Sequence, residues 1–416
     1  MLHKSQIILN ADQSRVILQP LFLPGSDRVS RILNRIQSLS DAEVSEMLST
    51  VYNKFGHRHK KFKSLLKRHF DLIAGQGIYS RQFDESRQLL SGALLSKEYS
   101  IQSAALFNPS MVPHPDQSGL EKGEMRFVMS LRATGEGHVS SIVFRTGILF
   151  PDGSISLSPL TPYQVLGEYI PAGDDGTDYN LVFDQDSLIE ERVIFPATTI
   201  ESMGMEDLRL VRFTDAQETS YYGTYTAYDG RKIQSRLLET GDFRSFDIRS
   251  LTGASASDKG MGLFPEKING RYAIISRQGG ENISIMFSYD LYRWESHELL
   301  MEPLYPFEMA QIGNCGSPIR TEKGWLLLTH GVGPVREYYI SVALLDLENP
   351  RKIISRLDHP LIAPEENERE GYVPNVVYSC GGMIHAGKLF IPYAMSDSRY
   401  GFAWIEIDEL LDELLK

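Results

Sequence analysis

The chain has 416 residues, 42% of them hydrophobic and 23% charged, with a formal net charge of −12, a composition that fits a soluble globular protein of two or three domains, or one large domain with an appendage. The acidic balance argues against nucleic acid or a membrane surface as partner, since both need a basic face, and no apolar run is long enough to span a bilayer. Two cysteines, Cys315 and Cys380, give neither a disulfide framework nor a four-ligand zinc site, and the first residues do not form a signal-peptide core, so a cytoplasmic enzyme or binding protein is expected.

Residues 1–20 read as a strand pair, Ile7-Ile8-Leu9 and Val16-Ile17-Leu18 flanking a turn at Asn10-Ala11-Asp12. From Asp27 the apolar period becomes helical, with Val29, Ile32, Leu33 and Ile36 on one face. Ser40-Asp41-Ala42-Glu43 has the form of a capping box and opens a second helix carrying Val44, Met47, Leu48 and Val51. A third helix follows through Phe62, Leu65, Leu66, Phe70 and Ile73, ending before Gly75-Gln76-Gly77, and a fourth covers Asp84 to Leu95. The basic run around His57-Arg58-His59-Lys60-Lys61 lies on an amphipathic helix of an acidic protein, where a solvated face or a subunit contact fits better than nucleic acid.

Beyond residue 100 the pattern is all-β, with short aromatic-bearing strands between Gly, Asp, Asn and Ser turns. One unit recurs at Met125–Met129, Ser220–Tyr225, Gly270–Ile274, Gly324–Leu328 and Gly387–Ile391, with turn-plus-aromatic companions at Asp242–Phe246 and Asp290–Trp294. The spacing is that of propeller blades. The expected architecture is therefore an all-β, five-bladed β-propeller over residues 99–416, with a mostly helical N-terminal extension over 1–98, an insertion at 150–200 and a closing helix from Asp408 to Leu415.

Polar residues near the inner strand ends of a propeller converge on its axis. The stretches so placed hold Asn108, Arg132, Glu136, His138, Glu206, Asp207, Arg209, Glu266, Lys267, His330, Tyr372, Asn375 and Asp397. In Gly204-Met205-Glu206-Asp207-Leu208-Arg209, strand alternation would put Asp207 and Arg209 on one face and Glu206 on the other. A surface ion pair is the plain reading of that hexapeptide, but the recurrence of such residues once per unit points to a shared site. There is no Gly-x-Ser-x-Gly elbow, no P-loop and no His-Glu-x-x-His pair, and Gly135-Glu136-Gly137 lacks the helix a dinucleotide loop requires. Carboxylates for acid–base work beside Arg, Lys, Asn and Tyr fit a carbohydrate site.

The order Phe107-Asn108-Pro109, Leu131-Arg132-Ala133, Glu206-Asp207-Leu208-Arg209, Tyr225–Gly230, Phe264-Pro265-Glu266-Lys267-Ile268, Gly324-Trp325 through His330-Gly331-Val332, Gly371–Tyr378 and Ser396-Asp397-Ser398 resembles glycoside hydrolase family 130, the β-mannoside phosphorylases and β-mannosidases on five-bladed propellers. The resemblance spans roughly residues 100–410. It implies Asp207 as the general acid, acting through a mannose hydroxyl, with Asn108, Arg132, Arg209 and Asp397 binding the sugar or the anion. It also implies Lys267 as a phosphate ligand, with Arg209 and the nearby Arg236 sharing that role in a phosphorylase. His138, Glu206, His330, Tyr372 and Asn375 complete the expected sugar-binding set.

Three departures bear on the reaction. Leu208 stands where the family carries proline, Gln234 where many phosphorylases carry a basic residue, and Ser276 where a histidine is common. Fewer cations for a phosphate dianion tilt the expectation towards an inverting exo-acting β-mannosidase acting on short, β-1,2-linked manno-oligosaccharides, with Glu266 or Glu136 as the base. Phosphorolysis to mannose 1-phosphate is the alternative, and a non-catalytic sugar- or protein-binding propeller a third. No metal or organic cofactor is implied beyond inorganic phosphate as co-substrate. The expected partner is a small oligosaccharide, with the helical extension available as a contact between copies of the chain.

Overall fold

The computed structural model describes residues 1–74, 83–173, 176–216 and 218–416. The chain divides into two compact units, one of Gln13–Ile101 with Thr161–Val165 and one of Met1–Asp12, Gln102–Leu160 and Leu166–Lys416.

The smaller unit holds helices α1 (Ser26–Ser38), α2 (Asp41–Phe55), α3 (Phe62–Ala74) and α4 (Glu85–Leu94), with a two-stranded ladder of Val16–Pro20 against Ser96–Ser100. The capping box at α2 forms as its sequence requires, since the Glu43 amide donates to Ser40 Oγ at 3.3 Å and the Ser40 amide donates to Glu43 Oε2 at 2.8 Å. The apolar stripes meet in one core of Val29, Leu33, Ile36, Leu48, Leu66 and Phe70, among others. Gly92 of α4 sits against the backbone of α3, where an added Cβ would lie 1.9 Å from the Leu66 carbonyl oxygen. The expected stop of α3 at Gly75-Gln76-Gly77 lies outside the described residues.

The larger unit is built from antiparallel sheets. Ala105–Pro113, Met125–Thr134, Ser140–Leu149 and Ile155–Leu157 form a first meander, and Gly204–Asp215, Glu218–Tyr228, Ile233–Thr240 and Ser245–Ser250 a second. Both belong to one twelve-stranded sheet, joined by a parallel bridge between Gly204 and Ser140. Residues 150–200 contribute further strands to it: Tyr179–Val182 pairs with Ser245–Ser250, and Arg192–Ile194 with Ser140–Leu149. A third sheet runs Gly262–Leu263, Tyr272–Ser276, Ile283–Ser288, Glu298–Met301, and a fourth centres on Trp325–Val332 and Tyr338–Leu345. The last centres on the hairpin Lys388–Met395 and Arg399–Glu406, followed by helix α5 (Ile407–Leu414). The recurring sequence units mark strands that are central to their sheets.

The first strand departs from expectation. His3–Asn10 does not pair with Val16–Pro20 but joins the edge of the last sheet, His3 opposite Trp404 and Asn10 opposite Arg399. Local turn signals cannot reveal a partner four hundred residues away.

Successive sheets bury their faces against one another, and the alternation along each strand decides what each side chain meets. Trp325 and Leu327 pack with Ala273 and Ile275 of the third sheet, while Leu326 and Leu328 pack with Leu389, Ile391 and Tyr393 of the last. Ile274 turns the other way, onto Val211, Phe213 and Leu237 of the second meander. Ala105 and Phe107 of the first meander meet Ala394 of the last sheet. No helix among the described residues is long and apolar enough to cross a membrane.

Candidate active site

Two backbone irregularities create the site. In the first strand of the first meander the register slips between Phe107 and Ser110, and in the first strand of the second it slips between Glu206 and Arg209. Each slip carries a residue in the left-handed region, Asn108 at φ 50° and Asp207 at φ 57°, a conformation that Asn and Asp tolerate better than most residues. A bulge re-aims side chains that strict alternation would separate. Glu206 and Asp207 therefore share one pocket, contrary to the alternation expected from the sequence.

That pocket, of about 360 Å³, is lined by Asn108, Arg132, Glu206, Asp207, Lys259, Arg277, His330, Val335, Arg336, Tyr338, Val373, Pro374, Val376, Tyr378 and Asp397. Asn108 Nδ2 donates to Asp207 Oδ1 at 2.7 Å. Arg132 spans the two carboxylates, with Nη2 at 2.8 Å from Glu206 Oε1 and Nη1 at 3.4 Å from Asp207 Oδ1, and Lys259 Nζ holds the other Glu206 oxygen at 3.1 Å. Arg209 is buried behind them, donating to the Asp207 carbonyl at 3.1 Å and to the Tyr378 hydroxyl at 2.7 Å. Burial pushes the Asp207 carboxyl up, but Arg132, Arg209, the Asn108 amide and Lys259 together hold it below the usual carboxylate range. His330 is forced neutral, first by burial and then by Arg277 and Arg209.

Arg277 and Arg336 differ from the other cations. Arg277 Nη1 meets only the His330 ring, at 3.4 Å, and its buried Nε has no partner. Arg336 donates to the Tyr338 hydroxyl at 2.8 Å. Neither makes an ion pair with a carboxylate among the described residues. Arg336 and Val335 sit at φ 57° and 58°, and a β-branched residue at that angle is strained, so the turn Pro334–Arg336 presents this guanidinium by a backbone shape its sequence does not favour.

Several expected residues lie elsewhere. Glu266 is bound by Arg320 Nη1 at 3.1 Å, and Lys267 by Asp215 Oδ2 at 2.6 Å. Asp215 ends the strand that Gly204 begins, and at roughly 3.3 Å per residue it stands more than about 20 Å from Asp207. The base expected at Glu266 and the phosphate ligand expected at Lys267 are therefore at the wrong end of the strand. Arg236 is fully buried, paired with Glu201 at 2.9 Å and Asp178 at 3.1 Å, and Tyr225 and Tyr179 donate to the same Glu201, which makes it part of the sheet's interior. Glu136 and His138 are exposed on a short turn, and neither lines the pocket. His138 is joined to the exposed Tyr372 hydroxyl at 2.9 Å. Asn375, at φ 61°, accepts the Tyr338 amide through its carbonyl.

The profile of family Glyco_hydro_130, described as beta-1,4-mannooligosaccharide phosphorylase, matches residues 184–416. The chain belongs to glycoside hydrolase family 130. A 1,2-beta-oligomannan phosphorylase of Thermoanaerobacter sp. (strain X514) is 30% identical to it over 282 residues, 64% of this chain and 91% of that relative. A beta-1,2-mannobiose phosphorylase of the same organism is 35% identical over 221 residues, covering 50% of this chain and 69% of its own. Among solved structures, the beta-1,2-mannobiose phosphorylase of Listeria innocua, in complex with beta-1,2-mannobiose, superposes with a TM-score of 0.55 at 20% identity over 76% of this chain and 93% of that one. Another, at TM-score 0.55 and 19% identity over 75% and 87%, comes from work stating that the family of mannoside phosphorylases contains glycoside hydrolases that target beta-1,2 mannosidic linkages. For this family 130 chain, Lys259, Arg277 and Arg336 are the charged pocket residues that sequence reasoning missed. Lys259 stands five residues before the conspicuous Phe264-Pro265-Glu266-Lys267 motif, in a Gly- and Ser-rich stretch that reads as plain loop.

Proposed function

We propose that this family 130 protein is an inverting β-mannoside phosphorylase, releasing mannose 1-phosphate from short β-1,2-linked manno-oligosaccharides. The observation that carries the reading is charge. Four cations, Arg132, Lys259, Arg277 and Arg336, line the pocket against three carboxylates, and two of the four lack an acidic partner. In a chain of net charge −12 such a concentration of positive charge attracts and holds an anion. The hydrolytic expectation is correspondingly weakened, because neither proposed base stands at the pocket. The β-1,2 linkage takes its support from the relatives, and the five-bladed propeller from sheets that bury their faces one against the next, with the first meander also packed on the last sheet.

In this reading a phosphate oxygen, held by Lys259, Arg277 and Arg336, bonds to the anomeric carbon from the face opposite the glycosidic oxygen. The carbon–oxygen bond to the leaving sugar breaks as that oxygen takes up a proton relayed from Asp207 through a mannose hydroxyl. A bound dianion beside Lys259 offsets the positive field that keeps Asp207 ionised, and so raises its proton affinity at the moment the proton is needed. Incubation of β-1,2-mannobiose with and without inorganic phosphate tests the reading. Mannose 1-phosphate that forms only with phosphate supports it. Free mannose released at a phosphate-independent rate overturns it in favour of hydrolysis.

A further inference from the structure

The three carboxylates of the pocket are not held alike. Glu206 lies between Arg132 and Lys259, and Asp207 accepts from Asn108 and Arg132. Asp397 lines the same pocket but takes part in no hydrogen bond or ion pair among the described residues. It sits at the tip of the hairpin between Lys388–Met395 and Arg399–Glu406, where Ser396 and Asp397 adopt φ 48° and 49°. The tip is pinned: the Ser396 amide donates to the Val376 carbonyl at 2.7 Å, and Ser396 Oγ donates to the Glu368 carbonyl at 2.6 Å. The backbone that carries the carboxyl is thus held in place, and the carboxyl has no counter-charge of its own.

A carboxylate in a pocket without a partner is disfavoured as the anion, the more so beside Asp207, whose carboxyl is held below its usual range. Burial pushes Asp397 up to about 7, with the negative charge of Asp207 acting the same way, Arg132 opposing and Glu206 adding to the rise. The other charged groups of the pocket, Lys259, Arg277 and Arg336, come from the third and fourth sheets and their connections, and His330 is neutral.

We propose that Asp397 works as a neutral carboxylic acid, donating its proton in a hydrogen bond to a hydroxyl of the bound sugar. The inference rests on reading the pocket as a mannoside site. Asp397→Asn keeps the shape and a donor but cannot ionise. The ratio of variant to wild-type kcat/KM should rise about tenfold per pH unit above about pH 7, as the wild type loses its donor and the variant does not. A ratio that stays level or falls with pH overturns the proposal, since the working form would then not be the neutral one.

Thermal melting provides a readout free of catalysis. A carboxyl whose folded-state value is raised destabilises the fold progressively as pH climbs from the ordinary carboxylate range to the raised value. The difference in Tm between variant and wild type should therefore be larger in favour of the variant at pH 8 than at pH 5. A difference that is the same at both pH values overturns the proposal even if the variant is inactive. If the wild type neither phosphorolyses nor hydrolyses mannosides, the functional reading falls, and the melting difference still decides the charge of Asp397.

Discussion

Asp207 is gripped by Asn108 and Arg132 and backed by Arg209, so its carboxylate can be replaced without dismantling its surroundings. Asp207→Asn is expected to lower turnover by about 10²–10⁴-fold, the usual contribution of a positioned acid, while mannoside binding measured by calorimetry persists. Arg277 is expected to act on the anion. Arg277→Ala should raise the KM for phosphate roughly 10–100-fold, as loss of a charge-assisted hydrogen bond of about 1.5–3 kcal/mol implies, whereas Lys267→Ala, tied to the remote Asp215, should leave it unchanged. Steady-state kinetics with phosphate as the varied substrate separates the two. At this scale the sequence was a good guide to residues embedded in distinctive motifs: Asn108, Arg132, Glu206, Asp207, His330 and Asp397 all line the pocket. It failed where a motif was conspicuous but pointed elsewhere. Lys267 follows Phe264-Pro265-Glu266 so closely that the ordinary-looking Lys259 was overlooked, and only the course of the chain before the short Gly262–Leu263 strand distinguishes them.

Elements were legible wherever one period ruled. The α2 capping box and the apolar stripes of the helices gave elements that bury the expected side chains, and the run Trp325-Leu326-Leu327-Leu328 alternates between two cores as a strand buried on both faces must. The bulges were not legible, because a register slip leaves no composition signal, and they reverse the inference from alternation at Glu206. Packing of α3 on α4 depends on a close approach that only glycine permits. Gly92→Val should force the two helices apart and destabilise the helical unit by about 1–3 kcal/mol or more, seen as an earlier loss of helical signal in a urea titration monitored by circular dichroism. An unchanged midpoint would mean the helices accommodate the side chain without cost.

Across the whole molecule, what the sequence concealed was long-range pairing. The repeats announced a series of similar sheets, yet nothing local to Ile7-Ile8-Leu9 says that its partner is the strand Arg399–Glu406. That pairing has a consequence during synthesis. The strand His3–Asn10 is made about four hundred residues ahead of its ladder partner, so at about 5–20 residues per second it waits roughly 20–80 s for a neighbour. Throughout that interval it is an unsatisfied β-edge tethered to a growing chain, the kind of surface that seeks any strand within reach. The sheet that supplies Tyr378 and Asp397 to the pocket is then open to mispairing during synthesis, and a holding chaperone would protect it.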